Sequence, residues 1–373
     1  MQIRTFTLYH VTMKLKSPFT SSLETLTDRK FIILEAEDES GKKGWGEVSA
    51  FSSPWYTEET LETCYHMLKD FFIPELMDGQ VHHPTEVPKL LEKYRGNRMA
   101  KAGVEAAFWD LYSKQEGRTL SSCIGGVRTQ IPAGVAVGMN RMDTMLSEIH
   151  DHLQAGYKRI KIKIKPGHDI EPLKIIRAHF PGLSIMADAN SSYQLKDISG
   201  IKALDQFDLM MIEQPLAYDD IVDHRHLQKH IKTPICLDES ILSADDARKA
   251  IELGSCKVIN IKPARVGGLT EALKIHKVCK ENNIPVWCGG MVETGISRAQ
   301  NIALASLSQF TIPGDISSSS RFWENDIIEP NITVENGYIQ VPQSPGIGFD
   351  IDQSRLSNCT SKIDVFTKQR MRK

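Results

Sequence analysis

No apolar run in this 373-residue sequence approaches the length of a membrane span, and the opening MQIRTFTLYH has no apolar signal core. Neither sign of charge dominates: 45 Lys and Arg against 47 Asp and Glu leave a formal net charge of −2, so no overall field invites nucleic acid. The cysteines (Cys64, Cys123, Cys236, Cys256, Cys279, Cys288 and Cys359) are odd in number and form no CxxC pair. That speaks against a disulfide framework or a zinc site and for reduced thiols in a cytoplasm. The expected partner is therefore a small molecule, with no nucleic acid and no membrane involved. The closing TKQRMRK is basic and carries no assigned function.

What is present divides into two rhythms. Residues 1–125 mix strand-like runs, TFTLYHVTMKL and KFIILEAED, with later helical patterns in TEETLETCYHMLKDFFIPEL and MAKAGVEAAFWDLYSKQEG, which predicts an α+β capping domain. The polar KSPFTSSLETLTDR between the two strands reads as an exposed mobile loop. From 126 to 325 short Val/Ile/Met-rich runs alternate with helical segments: IPAGVAVG, RIKIKIK, LSIMADAN, DLMMIEQP, TPICLDES, KVINIKP, IPVWCGG and FTIPGD. One intervening helix starts at Ser243, with Asp245 and Asp246 in its first turn, and stops at Gly254. Residues 326–373 are expected to return to the capping domain.

A polar residue ends each middle strand: Lys163, Asp188, Glu213, Asp238 and Lys262, separated by 25, 25, 25 and 24 residues. That interval is one strand–helix unit, and it predicts an α/β fold, a (β/α)7β-type TIM barrel with its site at the C-terminal mouth. A flat doubly wound sheet is the alternative, but it does not call for an ionisable group on consecutive strand ends.

Asp188, Glu213 and Asp238 converging from adjacent strands cannot all stay ionised without a cation. Hard oxygen donors suit Mg²⁺, with Mn²⁺ or a similar divalent ion also accommodated. Helix capping explains any one of these acids, but not three in register with lysines on both flanks. The alternating RIKIKIKPG raises its own question, because a lysine-rich strand edge is often only a guard against aggregation. Placed on the second strand of a ring, with Lys262 on the sixth, Lys161 and Lys163 instead face Lys262 across the mouth. Mutual repulsion of Lys161 and Lys163, aided by a nearby metal, is expected to favour a neutral amine on one of them, usable as a general base near pH 7. Lys165 and Arg159 fall beyond the site or in the barrel's lower layer.

The constellation Lys161-Ile162-Lys163, Asp188-Ala189-Asn190, Glu213-Gln214-Pro215, Asp238-Glu239 and Lys262 resembles the muconate-lactonizing subgroup of the enolase superfamily, whose pairing of Lys with Mg²⁺ is a known pattern. The flanks PICLDES, NIKPARVGG, PVWCGGMVETG and FTIPGDISSSSRF resemble more closely the o-succinylbenzoate synthase / N-succinylamino acid racemase family. The resemblance implies an enolase-like fold and Mg²⁺ on Asp188, Glu213 and Asp238. It implies Lys163 as the base that later protonates a leaving hydroxyl in a syn dehydration. Lys262 becomes the opposing cation or the second base of a racemisation, and Lys161 tunes Lys163 and touches the substrate carboxylate. Asn190 and Glu239 would orient the ligands and Lys262 from behind. Arg265 would lower the pKa of Lys262, unless it is only a surface charge at a helix start.

Substrate specificity is expected from Phe19 in SPFTSS, from Phe51 and Tyr56 in AFSSPWY, and from Gly290, Met291 and Glu293, where the glycine would let a succinyl arm approach the backbone. These aromatics are equally compatible with ordinary packing between domains. IPGDISSS supplies a single Asp315, without the Asp-x-Asp by which dipeptide epimerases grip an ammonium. Three functions follow as expectations. The first is dehydration of 2-succinyl-6-hydroxy-2,4-cyclohexadiene-1-carboxylate to 2-succinylbenzoate in menaquinone biosynthesis. The second is racemisation of N-succinylamino acids in the same site, and the third a catalytically idle barrel used for binding. A homo-oligomer is expected.

Overall fold

The computed structural model describes residues 1–20 and 24–368. Its N-terminal region is built on an antiparallel sheet in which Ile3–Thr20, Thr25–Asp38 and Lys43–Val48 follow one another, with Thr360–Thr367 added on the outer side of the first strand. The sequence patterns found the first two strands but passed over Lys43–Val48, whose KGWGEV is interrupted by glycines. Those glycines are needed because a helix lies almost on the strand. A Cβ on Gly44 would sit 2.1 Å from the Ala107 carbonyl oxygen, and one on Gly46 equally close to that of Gly103. The helix is Arg98–Gln115, and it closes a core with Phe6, Leu8, Ile32, Leu34, Phe72 and Phe108.

The stretch expected to be a mobile loop is mostly strand. Phe19 pairs with Leu26 and Thr20 with Thr25, so the hairpin continues to its tip; Ser21, Ser22 and Leu23 lie outside the described residues, as do residues 369–373 of the basic tail. Ser and Thr tolerate strand geometry well, and here backbone pairing outweighs their polarity. The tip is tied to the rest of the molecule through Lys16 N donating to Phe322 O at 2.9 Å and Met139 N to Thr20 O at 3.2 Å.

The second unit is a parallel sheet of seven strands in sequential order: Gly134–Val137, Arg159–Lys163, Ile185–Asp188, Ile212–Glu213, Ile235–Leu237, Val258–Ile261 and Val286–Cys288. FTIPGD, expected as the eighth strand, forms isolated bridges and no regular strand, since Pro313 has no N–H to give to a ladder. Phe310 bridges Val286 at one edge of the sheet and Gly314 bridges Ala133 at the other, so this segment still closes the ring. Helices run back between the strands, among them Ala244–Leu253, which starts at Ser243 and ends at left-handed Gly254 as its sequence signals require. Among the described residues no helix is long and apolar enough to cross a membrane.

The two units are joined by buried acids that cap barrel backbone. Glu105, on the helix Arg98–Gln115, accepts from Thr270 N at 3.0 Å. Glu47, on the strand Lys43–Val48, accepts from Thr294 N at 3.2 Å, Thr294 Oγ1 at 2.6 Å and Ser297 N at 3.2 Å.

Candidate active site

Period-two alternation sends Ile160 and Ile162 out to the helices and Arg159, Lys161 and Lys163 into the barrel, where all are buried. Register carries this parity across the sheet. Lys161 is level with Met186, Lys163 with Asp188, and Asp188 with Glu213, while Glu213 is level with Cys236, two residues before Asp238. Met186, Met211, Cys236, Val258 and Trp287 form a small apolar plug in the barrel. The charged residues beside it are therefore shielded from water and must be neutralised by one another.

They are. Lys163 Nζ donates to Asp188 Oδ2 and Asn190 Oδ1, both at 2.7 Å. Lys161 Nζ lies 2.5 Å from Asp315 Oδ2, 3.0 Å from Glu213 Oε2 and 3.1 Å from Asp188 Oδ2. Lys262 Nζ donates to Asp238 Oδ2 at 2.7 Å and to the Tyr56 hydroxyl at 3.0 Å. Arg159 pairs with Asp315 at 2.7 Å and lies with its guanidinium 5.0 Å from the centroid of the Trp287 ring. Lys165 is exposed.

Two expectations about charge need correcting. Lysine–lysine repulsion does not set the state of Lys161: burial opposes its charge, but Asp315, Glu213 and Asp188 outweigh burial and hold it protonated. Nor does Arg265 lower the pKa of Lys262. Burial works against that amine's charge, yet Tyr56, Glu213 and Glu239 raise its pKa. Arg265 is not a surface charge either. It is buried, donates to Asp238 Oδ1, and is fixed by the carbonyls of Ile241 at 2.9 Å and Asn260 at 2.6 Å. Its position is that of a clamp on Asp238.

A cavity of about 80 Å³ opens over this layer. Of the candidate residues it brings together Lys161, Lys163, Lys262, Asp188, Asn190, Phe19, Phe51, Tyr56, Gly290, Met291 and Glu293; Glu213, Asp238, Glu239 and Arg265 are not in its wall. Asn190 links two of these groups, accepting from Lys163 and donating to Glu239 Oε1 at 3.2 Å. Gly290 is required by packing: a Cβ there would meet the Asp315 carbonyl oxygen at 2.7 Å. Gly289 makes room for Lys262, whose Cε would lie 2.5 Å from an added Cβ.

The donor set suits a hard divalent ion. Asp188, Glu213 and Asp238 offer carboxylate oxygens at successive strand ends, and the buried Glu239 Oε2 and Asn260 Oδ1 have no hydrogen-bond partner. Among the described residues no three acids, histidines or cysteines are already gathered as a ligand cluster. The candidate acids are instead held by amines and a guanidinium, whose bonds a divalent cation would take over.

Several participants escaped the sequence patterns. Asn260 donates to Glu213 Oε1 at 2.8 Å, and its position two residues before Lys262 was a signal that it shares that lysine's face. Gln214 accepts from Asp238 N at 3.0 Å and so fixes the backbone of that acid. Trp55, Leu26 and Phe322 add apolar wall to the cavity. Asp315, noted in the sequence only as a lone acid, holds both Arg159 and Lys161, a role the sequence patterns did not show. Asp315→Ala is expected to leave two buried cations short of a counter-charge and to destabilise the fold by about 3 kcal/mol, measured by denaturant unfolding. A loss below about 1 kcal/mol, the level of an exposed pair, would mean that the neighbouring acids suffice.

Comparison with known proteins agrees with this geometry. Residues 3–125 match the mandelate racemase / muconate lactonizing enzyme N-terminal domain, and residues 144–355 the enolase C-terminal domain-like family. The o-succinylbenzoate synthase of Bacillus subtilis (strain 168) is 64% identical over 368 residues, 99% of each chain. An N-succinylamino acid racemase of Thermus thermophilus is 44% identical over 352 residues, covering 94% of this chain and 95% of that one. A solved structure of an enolase superfamily member from Listeria innocua aligns with a TM-score of 0.95 at 43% identity, covering 98% of this chain and 99% of the other.

Proposed function

The chain belongs to the enolase superfamily, within its o-succinylbenzoate synthase / N-succinylamino acid racemase family, and from that membership we propose that it dehydrates 2-succinyl-6-hydroxy-2,4-cyclohexadiene-1-carboxylate to 2-succinylbenzoate for menaquinone biosynthesis, as a carbon–oxygen lyase. The observation that carries this is a pair of buried amines, Lys163 and Lys262, from strands four apart in the sheet and lining one cavity.

Released from Asp188 and in its neutral amine form, Lys163 takes the proton from the ring carbon that bears the carboxylate. The electron pair passes into that carboxylate and returns to expel the neighbouring hydroxyl. Lys163, now an ammonium, protonates the departing oxygen on the same face, so water leaves and the ring becomes aromatic. A Mg²⁺-like ion on Asp188, Glu213 and Asp238 would stabilise the negative charge that develops on the carboxylate. Lys262 stays charged and faces the anionic intermediate, while Lys161 offers a fixed cation to the substrate carboxylate.

Lys161 and Lys262 stand as cations at the cavity, and a divalent ion would add positive charge there, which an anionic substrate offsets. Phe19, Leu26, Phe51, Trp55 and Phe322 provide apolar wall for the ring.

The same pair of amines supports racemisation of N-succinylamino acids, dianions with the same kind of acidic α-proton, as a second activity of the site. A catalytically idle barrel is set aside, because relatives over nearly the full chain carry enzyme names and the amines needed for proton transfer are in place. The test is the appearance of aromatic absorbance from the cyclohexadiene, with loss in chelator and recovery on adding Mg²⁺. Absence of product with Mg²⁺ or Mn²⁺ present would overturn the dehydratase assignment. Incubation with N-succinylamino acids in D₂O reads the second activity through uptake of deuterium at the α-carbon.

A further inference from the structure

Val292 lines the cavity between Met291 and Glu293 with a backbone φ of 54°, a left-handed conformation that a β-branched residue rarely adopts. It is held there from both sides by the N-terminal region. Before it, Arg29 donates to the Met291 carbonyl at 3.3 Å and to those of Ser49 at 2.7 Å and Ala50 at 3.2 Å. After it, Glu47 accepts from the Thr294 amide and hydroxyl and from Ser297 N at the start of the helix Gly295–Ala305. The Glu293 carbonyl is fixed by Arg298 at 2.8 Å and by Trp323 at 3.3 Å. Arg29 is itself buried, its guanidinium 4.1 Å from the centroid of the Phe51 ring in the cavity wall.

Strain of this kind persists only where the surroundings over-determine it. We infer that Val292 is a positioning residue: the docking of the N-terminal region, through Arg29 and Glu47, holds this segment in a strained shape that sets the wall against which substrate is seated. The geometry of the cavity is thereby coupled to the junction of the two units. This rests on the proposed function only for its substrate readout, because the strain itself is read from stability.

The experiment compares Val292→Asn with Val292→Thr in the full chain. Asparagine accepts the left-handed region, whereas threonine has valine's shape and keeps the strain, so it serves as the control for added polarity. The Asn variant is expected to melt about 2–4 °C above the Thr variant. Its KM for the cyclohexadiene should rise about tenfold with kcat within about twofold, because the wall relaxes while Lys163 is untouched. Glu47→Gln, which loses an acceptor toward Thr294 or Ser297, should raise KM in the wild-type background and change it little in the Val292→Asn background. An Asn variant melting no higher than the Thr variant, or KM effects that simply multiply in the double variant, overturns the inference. If wild type turned over no substrate, the proposed function would fail, and the melting comparison would still decide the strain.

Discussion

Replacing Lys163 by alanine is expected to lower kcat for dehydration by roughly 10²–10⁴, the range of a positioned general acid–base group, and to abolish deuterium uptake from the N-succinylamino acid enantiomer whose α-proton faces it. Its amine is 2.7 Å from both Asp188 and Asn190, and it alone is assigned both removal of the proton and its return to the leaving hydroxyl. Two transfers then fail together, and no neighbour substitutes. Lys161 is nearest in sequence, but Asp315, which is not among the metal-ligand candidates, lies 2.5 Å from its amine and favours its protonated form. The fold should survive the change, because Asp188 keeps Lys161 at 3.1 Å and the backbone N–H of Asn190 at 3.0 Å. Circular dichroism and thermal melting close to wild type, beside a lost absorbance change, are the expected pair of results. Dehydration that persists at more than a tenth of the wild-type rate would move the base to another residue.

The candidate site was legible because strand periodicity and unit length are both written into the sequence. The 25-residue interval placed Lys163, Asp188 and Glu213 at the ends of their strands and Asp238 and Lys262 one residue beyond. Period-two alternation placed Lys161 with Lys163 on the inner face. Sequence periodicity says nothing of partners, and that is where the expectations failed. Arg265 has the composition of a helix-start surface residue, yet its chain position brings it under Asp238. Lys161 was assigned repulsion from Lys163, its neighbour on the strand, because Asp315 is 154 residues away in the chain and reaches it only when the ring closes. KSPFTSSLETLTDR has loop composition, but its strand pairing is set by the long hairpin behind it. The eighth run, FTIPGD, meets both edges of the sheet through single bridges only, enough for closure but not for a strand.

In the proposed mechanism Lys262 is what distinguishes the two activities, and its replacement should split them. In racemisation one amine removes the α-proton and the other delivers a proton to the opposite face, so both Lys163 and Lys262 are obligatory. Lys262→Ala is expected to abolish inversion, and α-deuterium uptake in D₂O should survive only for the enantiomer whose proton faces Lys163. In the proposed syn dehydration Lys163 would handle both transfers, and Lys262 would contribute a charge toward the anionic intermediate. Loss of one such stabilising group costs about 10²–10³ in kcat. Lys262→Arg sharpens the contrast, since a guanidinium keeps the charge but does not give up its proton. It is expected to recover part of the dehydration and none of the inversion. The variants should remain folded, because Asp238 retains Arg265 and the Tyr56 hydroxyl at 3.2 Å. Chiral chromatography with mass detection of deuterium reads both reactions of the amino acid, and absorbance reads the third. Inversion that persists in Lys262→Ala, or deuterium uptake lost from both enantiomers alike, would show that the amines do not stand on opposite faces of the substrate, and the assignment of Lys163 and Lys262 as a facing pair would fall with it.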